Sequence, residues 1–387
     1  METSNSITYA IYIDSPNISG AEKRAIKLFY DLNNSGQSCN LIISKRLFDA
    51  FQSSEYSKYF QYSYIVVDMG WLGELRKIKK FHLLRRFTGF NRILKKIYNF
   101  QVKRTLEKSG ISNLVLHIFL DLDLAIKLKK VSPINKIIFE ITSPDYIKKL
   151  LSNKIEKLNN INYFNAVSES VYIKAIEFIS DSKLGKSPIP FFSPSEYIVN
   201  NEELFSIKEN IIIFAHRLAP RKNGLLFAKV VKTFLQKYPN WIIKLFGKGA
   251  EATKINALLS EEIALGQVVT GYQTKILPEL EKSKIFVSLI EPDNYPSQSV
   301  LEAMYTGNAL LLSDTGFTKE CFWDNNGLLC ELTFEDVLLK LTRLVSGDID
   351  LENCGRNSLN LLHSKYHKTI YLDYISRMYK LVSERPD

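Results

Sequence analysis

Short apolar runs alternate with amphipathic stretches along nearly the whole of the 387 residues, and no other feature narrows the fold as much. A strand buried on both faces reads as a continuous run of β-branched and aromatic residues. Joining such strands by crossover helices yields a parallel sheet. In the first half, Ile7 to Ile13 reads as a strand, Gly20 to Asn34 as a helix, and Asn40 to Ser44 and Ser63 to Asp68 as further strands. Strand-like runs follow at Asn113 to Phe119, Lys136 to Ile141 and Asn162 to Val167. Pro188, Pro190 and Pro194 then interrupt helix and sheet alike, which marks 186–195 as a linker. A second series begins beyond it, with strands at Ile211 to Phe214, Ile242 to Phe246, Gln267 to Thr270, Lys284 to Leu289 and Ala309 to Ser313. Its helices start near Asn223, Glu251, Thr274, Ser297 and Phe334. Leu361, Leu362, Tyr366, Ile370, Tyr374, Met378 and Leu381 recur at close to helical spacing, so the chain ends in one or two amphipathic helices. The expectation is two Rossmann-like, doubly wound α/β domains, 1–190 and 191–355, with 356–387 packing back toward the first.

The length suits two such cores, and 45% hydrophobic with 24% charged residues is the composition of a soluble globular protein. Cys39, Cys321, Cys330 and Cys354 have neither the density of a disulfide scaffold nor CxxC spacing, which fits a reducing compartment. Met1 to Asn5 is polar and no apolar run is long enough to cross a bilayer, so a cytoplasmic location is expected. The net charge of +10 favours an anionic partner, and eleven Lys and Arg with no Asp or Glu lie between Arg76 and Arg104. Interleaved Ile78, Phe81, Leu84, Phe87, Phe90, Leu94, Ile97 and Tyr98 leave two readings for that segment. It docks peripherally on an anionic membrane, or it forms surface helices whose apolar stripe packs on the first domain. Nucleic acid is not the expected partner, because no nucleic-acid module accompanies the charge.

Chemistry concentrates in the second half. Pro296-Ser297-Gln298-Ser299-Val300-Leu301-Glu302-Ala303-Met304-Tyr305-Thr306-Gly307 follows a strand and a polar loop. A helix opening with small hydroxyl residues offers backbone N–H groups and a favourable dipole to a phosphate, and Glu302 can accept hydrogen bonds from a ribose diol. A plain helix start explains the same spacing equally well. Upstream, Arg217 and Lys222 share one short loop after the strand at 211–214, where a guanidinium and an ammonium can meet a diphosphate. His216, beside Arg217, is a further candidate. Gly247-Lys248-Gly249 and Gly271-Tyr272 close the next two strands, as nucleotide-binding turns or as ordinary βα turns.

With these motifs the chain resembles the retaining glycosyltransferases of family 4, which have two Rossmann domains facing across a cleft, the GT-B architecture. Glu302-Ala303-Met304-Tyr305-Thr306-Gly307 matches the family's Glu-Ala-Met-x-x-Gly element. The family's first acidic position falls on Asn294 by count, with Asp293 one residue and Glu291 three residues earlier, and Asp293 is favoured. The resemblance implies that Arg217 and Lys222 stabilise the departing nucleotide diphosphate. It implies that Asp293 and Glu302 flank the donor sugar and nucleotide, and that Ser297, Ser299, Val300 and Leu301 line the phosphates. Gly247, Gly249 and Tyr272 would then face ribose or base, with His216 in the cleft. In the first half, Gly20-Ala21-Glu22 is similar to the family's element at the first βα turn. His117 corresponds to a histidine near the transferred sugar, although a lone histidine in an apolar run is more often a core residue.

Asp121-Leu122-Asp123 offers two carboxylates on one loop, which a divalent cation could use. Capping of the helix after Asp121 is preferred, and neither metal nor cofactor is expected. The implied function is transfer of a sugar from a nucleotide-diphosphate donor, preferably UDP-linked, to a hydroxyl of a glycan or lipid-linked acceptor, with retention. Abundant Lys, Ile, Asn and Tyr suggest an AT-rich bacterial source and a surface polysaccharide such as lipopolysaccharide or capsule. A phosphorylase or epimerase on the same fold, and a non-catalytic glycosyltransferase-like subunit, remain alternatives.

Overall fold

The structure is a computed structural model. It describes residues 7–15, 18, 20–68, 88–128, 131–143, 146–147, 150, 158–194, 201–293, 295, 297–323 and 325–385, without the side chains of 88–92 and 201. The chain divides into two units, 1–193 with 368–387, and 194–367.

In the first unit the elements run β1 (Thr8–Ile13), α1 (Gly20–Asn34), β2 (Cys39–Ser44), α2 (Lys45–Gln52), β3 (Tyr64–Val67), α3 (Thr88–Lys108), β4 (Leu114–Phe119), α4 (Leu122–Leu128), β5 (Ile134–Ile141), β6 (Tyr163–Ala166), α5 (Glu169–Ala175) and β7 (Leu184–Lys186). All seven strands pair in parallel, in the order β3-β2-β1-β4-β5-β6-β7. Every residue of β4 is buried, as an apolar run in a two-sided sheet demands. One face packs a core of Ala10, Tyr12, Leu116, Ile118, Phe139 and Phe164 against Tyr98, Val102 and Leu106 of α3.

The second unit comprises α6 (Asn201–Ser206), β8 (Glu209–Ala215), α7 (Gly224–Lys237), β9 (Ile242–Phe246), α8 (Ala252–Leu258), α9 (Ser260–Ala264), β10 (Val268–Gly271), α10 (Leu277–Lys282), β11 (Ser283–Ser288), α11 (Gln298–Tyr305), β12 (Ala309–Ser313), β13 (Gly327–Cys330), α12 (Phe334–Val345) and α13 (Leu351–Lys365). Its six strands form a parallel sheet, β10-β9-β8-β11-β12-β13. Two doubly wound Rossmann-like units are thus present. The chain then returns to the first unit as α14 (Lys368–Glu384). The amphipathic end of the sequence is therefore two helices with different allegiances, α13 in the second unit and α14 in the first.

At the N-terminal edge of the second sheet, the Lys208 ammonium donates to the carbonyls of Ser283 (2.7 Å), Thr306 (2.8 Å) and Glu281 (3.3 Å). Asn308 Nδ2 donates to Ser283 O at 2.6 Å and Leu280 O at 3.1 Å. Together they satisfy the carbonyl ends of α10 and α11 and fix α11 on the sheet. Lys208→Met would take this donor from the Thr306 and Glu281 carbonyls and is expected to cost about 2 kcal/mol in urea unfolding. An unchanged midpoint would show that the cage contributes nothing.

The basic segment is described only from residue 88, and 76–87 lie outside the described residues. Where α3 is described, Leu94 and Tyr98 are buried and Ile97 is partly buried against the core, so this part of the apolar stripe faces the sheet. The opposite side of α3 exposes Ile93 and Phe100 beside Lys96, Lys103 and Arg104.

Candidate functional site

In the second sheet the strand order reverses between the adjacent strands β8 and β11. The crevice beyond the carboxyl ends of strands at such a point is where open α/β sheets bind ligands. The loop after β8, His216 to Asn223, occupies one side of it. His216 N donates to Phe246 O at 3.1 Å and Leu218 N to Lys248 O at 3.0 Å, which lays this loop on the turn after β9. Glu291 N donates to Arg221 O at 3.1 Å, and Asn223 Nδ2 to Leu289 O at 3.0 Å, which ties it to the loop after β11. Gly247 and Gly249 exist for this contact. A Cβ on Gly247 would stand 1.9 Å from His216 O, and one on Gly249 2.0 Å from Leu218 O. Both glycines therefore support the cation-bearing loop.

Arg217 and Arg221 are exposed and Lys222 is partly buried. Burial pushes the Lys222 ammonium down to about 8, and the neighbouring Arg221 and Arg217 guanidiniums push it in the same direction. Lys222 thus feels two further cations on its own loop, the arrangement a diphosphate would relieve. Arg221 was not singled out in the sequence, although its place between Arg217 and Lys222 could have signalled it. Burial and the Lys222 charge push His216 down to about 3, so its imidazole is neutral and adds no fourth charge. His216 Nδ1 lies 3.5 Å from Ser299 Oγ.

The other side of the crevice is the start of α11. Ser297 takes the N-cap position in extended conformation, but its hydroxyl does not cap the helix and instead meets Ser299 Oγ at 3.1 Å. Two expected donor contacts need correction. The Val300 and Leu301 side chains are core residues, 1% and 0% exposed, and the Leu301 amide already donates to Ser297 O at 3.1 Å. Glu302 is partly exposed in the second turn. Asp293 also departs from expectation, because its Oδ1 accepts from the amides of Tyr295 (3.0 Å) and Phe317 (3.1 Å). Its carboxylate clips two loops together. Gly316, at φ +53°, lets the second loop pass so close that a Cβ there would be 2.8 Å from Asp293 Cγ. Asn294 lies outside the described residues, and Glu291 is exposed. Beyond β10, Tyr272 is 56% exposed, with Lys248 Nζ 3.9 Å from its ring centroid.

Gly20 and His117 belong to the first unit. Gly20 opens α1 and is exposed. His117 has no exposed surface: Nε2 meets Glu140 Oε2 at 2.9 Å and Nδ1 meets the Tyr379 hydroxyl at 3.1 Å. Arg24 (2.9 Å), Asn165 (2.8 Å) and the Tyr371 hydroxyl (3.5 Å) also bond Glu140, so His117 is a partnered core residue, and its burial does not support the expected place beside the transferred sugar. Asp121 Oδ1 accepts from Leu124 N at 3.0 Å and caps α4, while Asp123 pairs with Lys95 at 2.6 Å.

Residues 199–360 match the family model for glycosyl transferases group 1. No curated protein matches the chain. Among solved structures, a glycosyltransferase from Rickettsia africae superposes with a TM-score of 0.68 at 13% identity, covering 98% of this chain and 100% of that one. Anabaena HepE in complex with UDP and glucose gives 0.71 at 12%, covering 97% and 100%. A variant of S. aureus TarM, in complex with fondaparinux, α-GlcNAc-glycerol and UDP, gives 0.67 at 12%, covering 98% and 100%. At such identities the likeness is one of fold, that of GT-B structures with two Rossmann-like domains. By domain and by fold, then, residues 199–360 match the glycosyl transferases group 1 family, and the chain has two Rossmann-like units like those of solved GT-B glycosyltransferases.

Proposed function

We propose that the protein transfers a sugar from a nucleotide-diphosphate donor to a hydroxyl of a glycan or lipid-linked acceptor, and that the second unit holds the donor. The observation that carries this reading is the trio of cations Arg217, Arg221 and Lys222 on one loop at the strand-order reversal of a Rossmann-like sheet. In the proposed reaction the pyrophosphate lies between this loop and the first turn of α11. Arg217 and Lys222 stabilise the charge that grows on the leaving diphosphate, and an acceptor hydroxyl attacks the anomeric carbon. Glu302 accepts from the ribose diol, while Ser297 and Ser299 present hydroxyls to the phosphates. His216, tethered to Ser299, holds the loop to the helix. Tyr272 offers an exposed ring to the base.

UDP is the preferred donor nucleotide, supported by the UDP bound in the Anabaena and S. aureus structures. Retention of configuration and placement in family 4 follow from the Glu302 to Gly307 resemblance, and a role in bacterial surface polysaccharide synthesis from composition. Glu302→Ala is expected to raise the donor KM by about 10- to 100-fold, the loss of hydrogen bonds to a charged group. Steady-state kinetics with a UDP-sugar checks this, and an unchanged KM removes Glu302 from the donor site.

The Lys222 value also sets a pH dependence. Below about pH 7 the ammonium is charged and its titration should leave UDP affinity flat. Above about 8 the free protein must first take up a proton, so affinity falls by up to about tenfold per pH unit until the pKa of the bound state is reached. Titration calorimetry from pH 7 to 10 should show this fall, and Lys222→Arg should abolish it. A flat wild-type profile to pH 10 would mean that Lys222 does not meet the phosphates.

A lipid-linked acceptor is favoured by the exposed face of α3, where Ile93 and Phe100 sit among Lys96, Lys103 and Arg104. That face suits an anionic bilayer. Cosedimentation with anionic vesicles, lost in Lys96→Glu/Lys103→Glu, is the expected result, and equal partitioning into neutral vesicles counts against docking.

A further inference from the structure

The loop after β11 is fastened to the loop after β12 at three points, and the third is made by a residue far away in sequence. At the root, Ile290 N donates to Ser313 Oγ at 3.1 Å, and the Ser313 and Thr315 hydroxyls donate back to Ile290 O at 2.8 and 2.7 Å. In the middle, Asp293 Oδ1 takes the amides of Tyr295 and Phe317. At the tip, Tyr295 shares a hydroxyl hydrogen bond with Tyr366, whose own hydroxyl donates to Glu320 O. Tyr366 is 2% exposed, follows α13, and lies one residue short of the point where the chain leaves the second unit. Two residues beyond Tyr295 stands Ser297, the N-cap of α11.

We propose that Tyr366 is a positioning residue for the donor, acting through Tyr295 to preset the loop that delivers the first turn of α11. The proposal rests on reading that crevice as the donor site. Neither hydroxyl is assigned to the reacting atoms. Their role is to hold the loop in its binding geometry before the ligand arrives, so that the ordering cost is not taken from binding. Either hydroxyl removed alone breaks the Tyr295–Tyr366 link, and Tyr366→Phe also loses the bond to Glu320 O, so adding Tyr295→Phe to Tyr366→Phe should cost nothing more.

The test compares Tyr366→Phe, Tyr295→Phe and the double variant with the wild type. In the ligand-free protein, hydrogen exchange at the Tyr295 and Phe317 amides is expected to quicken in all three variants. UDP affinity is expected to fall by about tenfold in Tyr295→Phe, at least as far in Tyr366→Phe, and no further in the double than in Tyr366→Phe. Lys244→Met, which removes the ion pair between β9 and Glu279 of α10, serves as the control that lowers stability and leaves UDP affinity unchanged. Unchanged exchange in Tyr366→Phe, a double variant weaker than Tyr366→Phe by the full Tyr295→Phe loss, or an equal affinity loss in Lys244→Met would each overturn the proposal. Quickened exchange in a protein whose wild type binds no nucleotide diphosphate would overturn the donor reading and with it the positioning role, while the loop contact itself would stand.

Discussion

Lys222→Met is expected to make the ligand-free protein more stable and at the same time nearly inactive. Lys222 is pushed down from 10.5 to about 8 because folding buries it beside two guanidiniums. At pH 7 the folded state thus holds a charge it disfavours. Sign follows from linkage: a lysine with a depressed folded value costs stability below that value, and the cost disappears as pH rises toward 10.5. Partial exposure screens the effect, so removing the charge should return about 1–2 kcal/mol at pH 7 and raise the Tm of the second unit by about 2–6 °C. The same substitution withdraws a cation from the developing diphosphate and should lower kcat by about 10²- to 10³-fold. Scanning calorimetry and a UDP-sugar assay read both effects. A variant that is destabilised, or fully active, contradicts the assignment of Lys222 to a strained anion site.

Arg24→Met is expected to cause the largest loss of stability. Glu140 is fully buried, and burial alone would raise its pKa. Arg24, His117 and Asn165 outweigh burial and hold it below the usual carboxylate range. The wild type therefore draws stability from Glu140 above about pH 4.5 and loses it as pH falls through the lowered folded value. Without Arg24 the carboxylate is left in the sheet with no cation at 2.9 Å, which should cost about 3–5 kcal/mol at pH 7. Burial then dominates, so the variant should become less stable as pH rises from 5 to 7, a range over which the Glu140 contribution to the wild type is constant. Urea unfolding at pH 5 and pH 7 measures both, and a loss under about 1 kcal/mol would show that the network is not what holds this face together.

Sequence reasoning reached what is local and periodic. Ala309–Ser313 announces itself because both faces are buried and nearly every residue is apolar, and Ile242–Phe246 because only Lys244 interrupts its apolar run. The cations at 217 and 222 were legible because one short loop carries them. β7 and β13 were missed: three and four residues long, with Gly185 in one and Gly327 opening the other, they lack the β-branched run that marks a strand. His117 could not be placed, because its partners Glu140 and Tyr379 come from another strand and from the far end of the chain. No spacing rule connects residues 24, 117, 140, 165 and 379. Gly247 and Gly249 were visible as turn glycines, but the carbonyls of His216 and Leu218 that exclude a Cβ are not. Asp293 was singled out for its place before Glu302, yet only coordinates show its oxygen occupied by two amides.

The central claim is that a pyrophosphate belongs against Arg217 and Lys222. Calorimetric titration of wild type and Arg217→Ala/Lys222→Ala with UDP and with uridine tests it most directly. The account predicts that the wild type binds UDP at least about 100-fold more tightly than uridine, and that the double variant loses this difference. Equal affinity of the wild type for the two ligands, or an undiminished preference for UDP in the double variant, would contradict it.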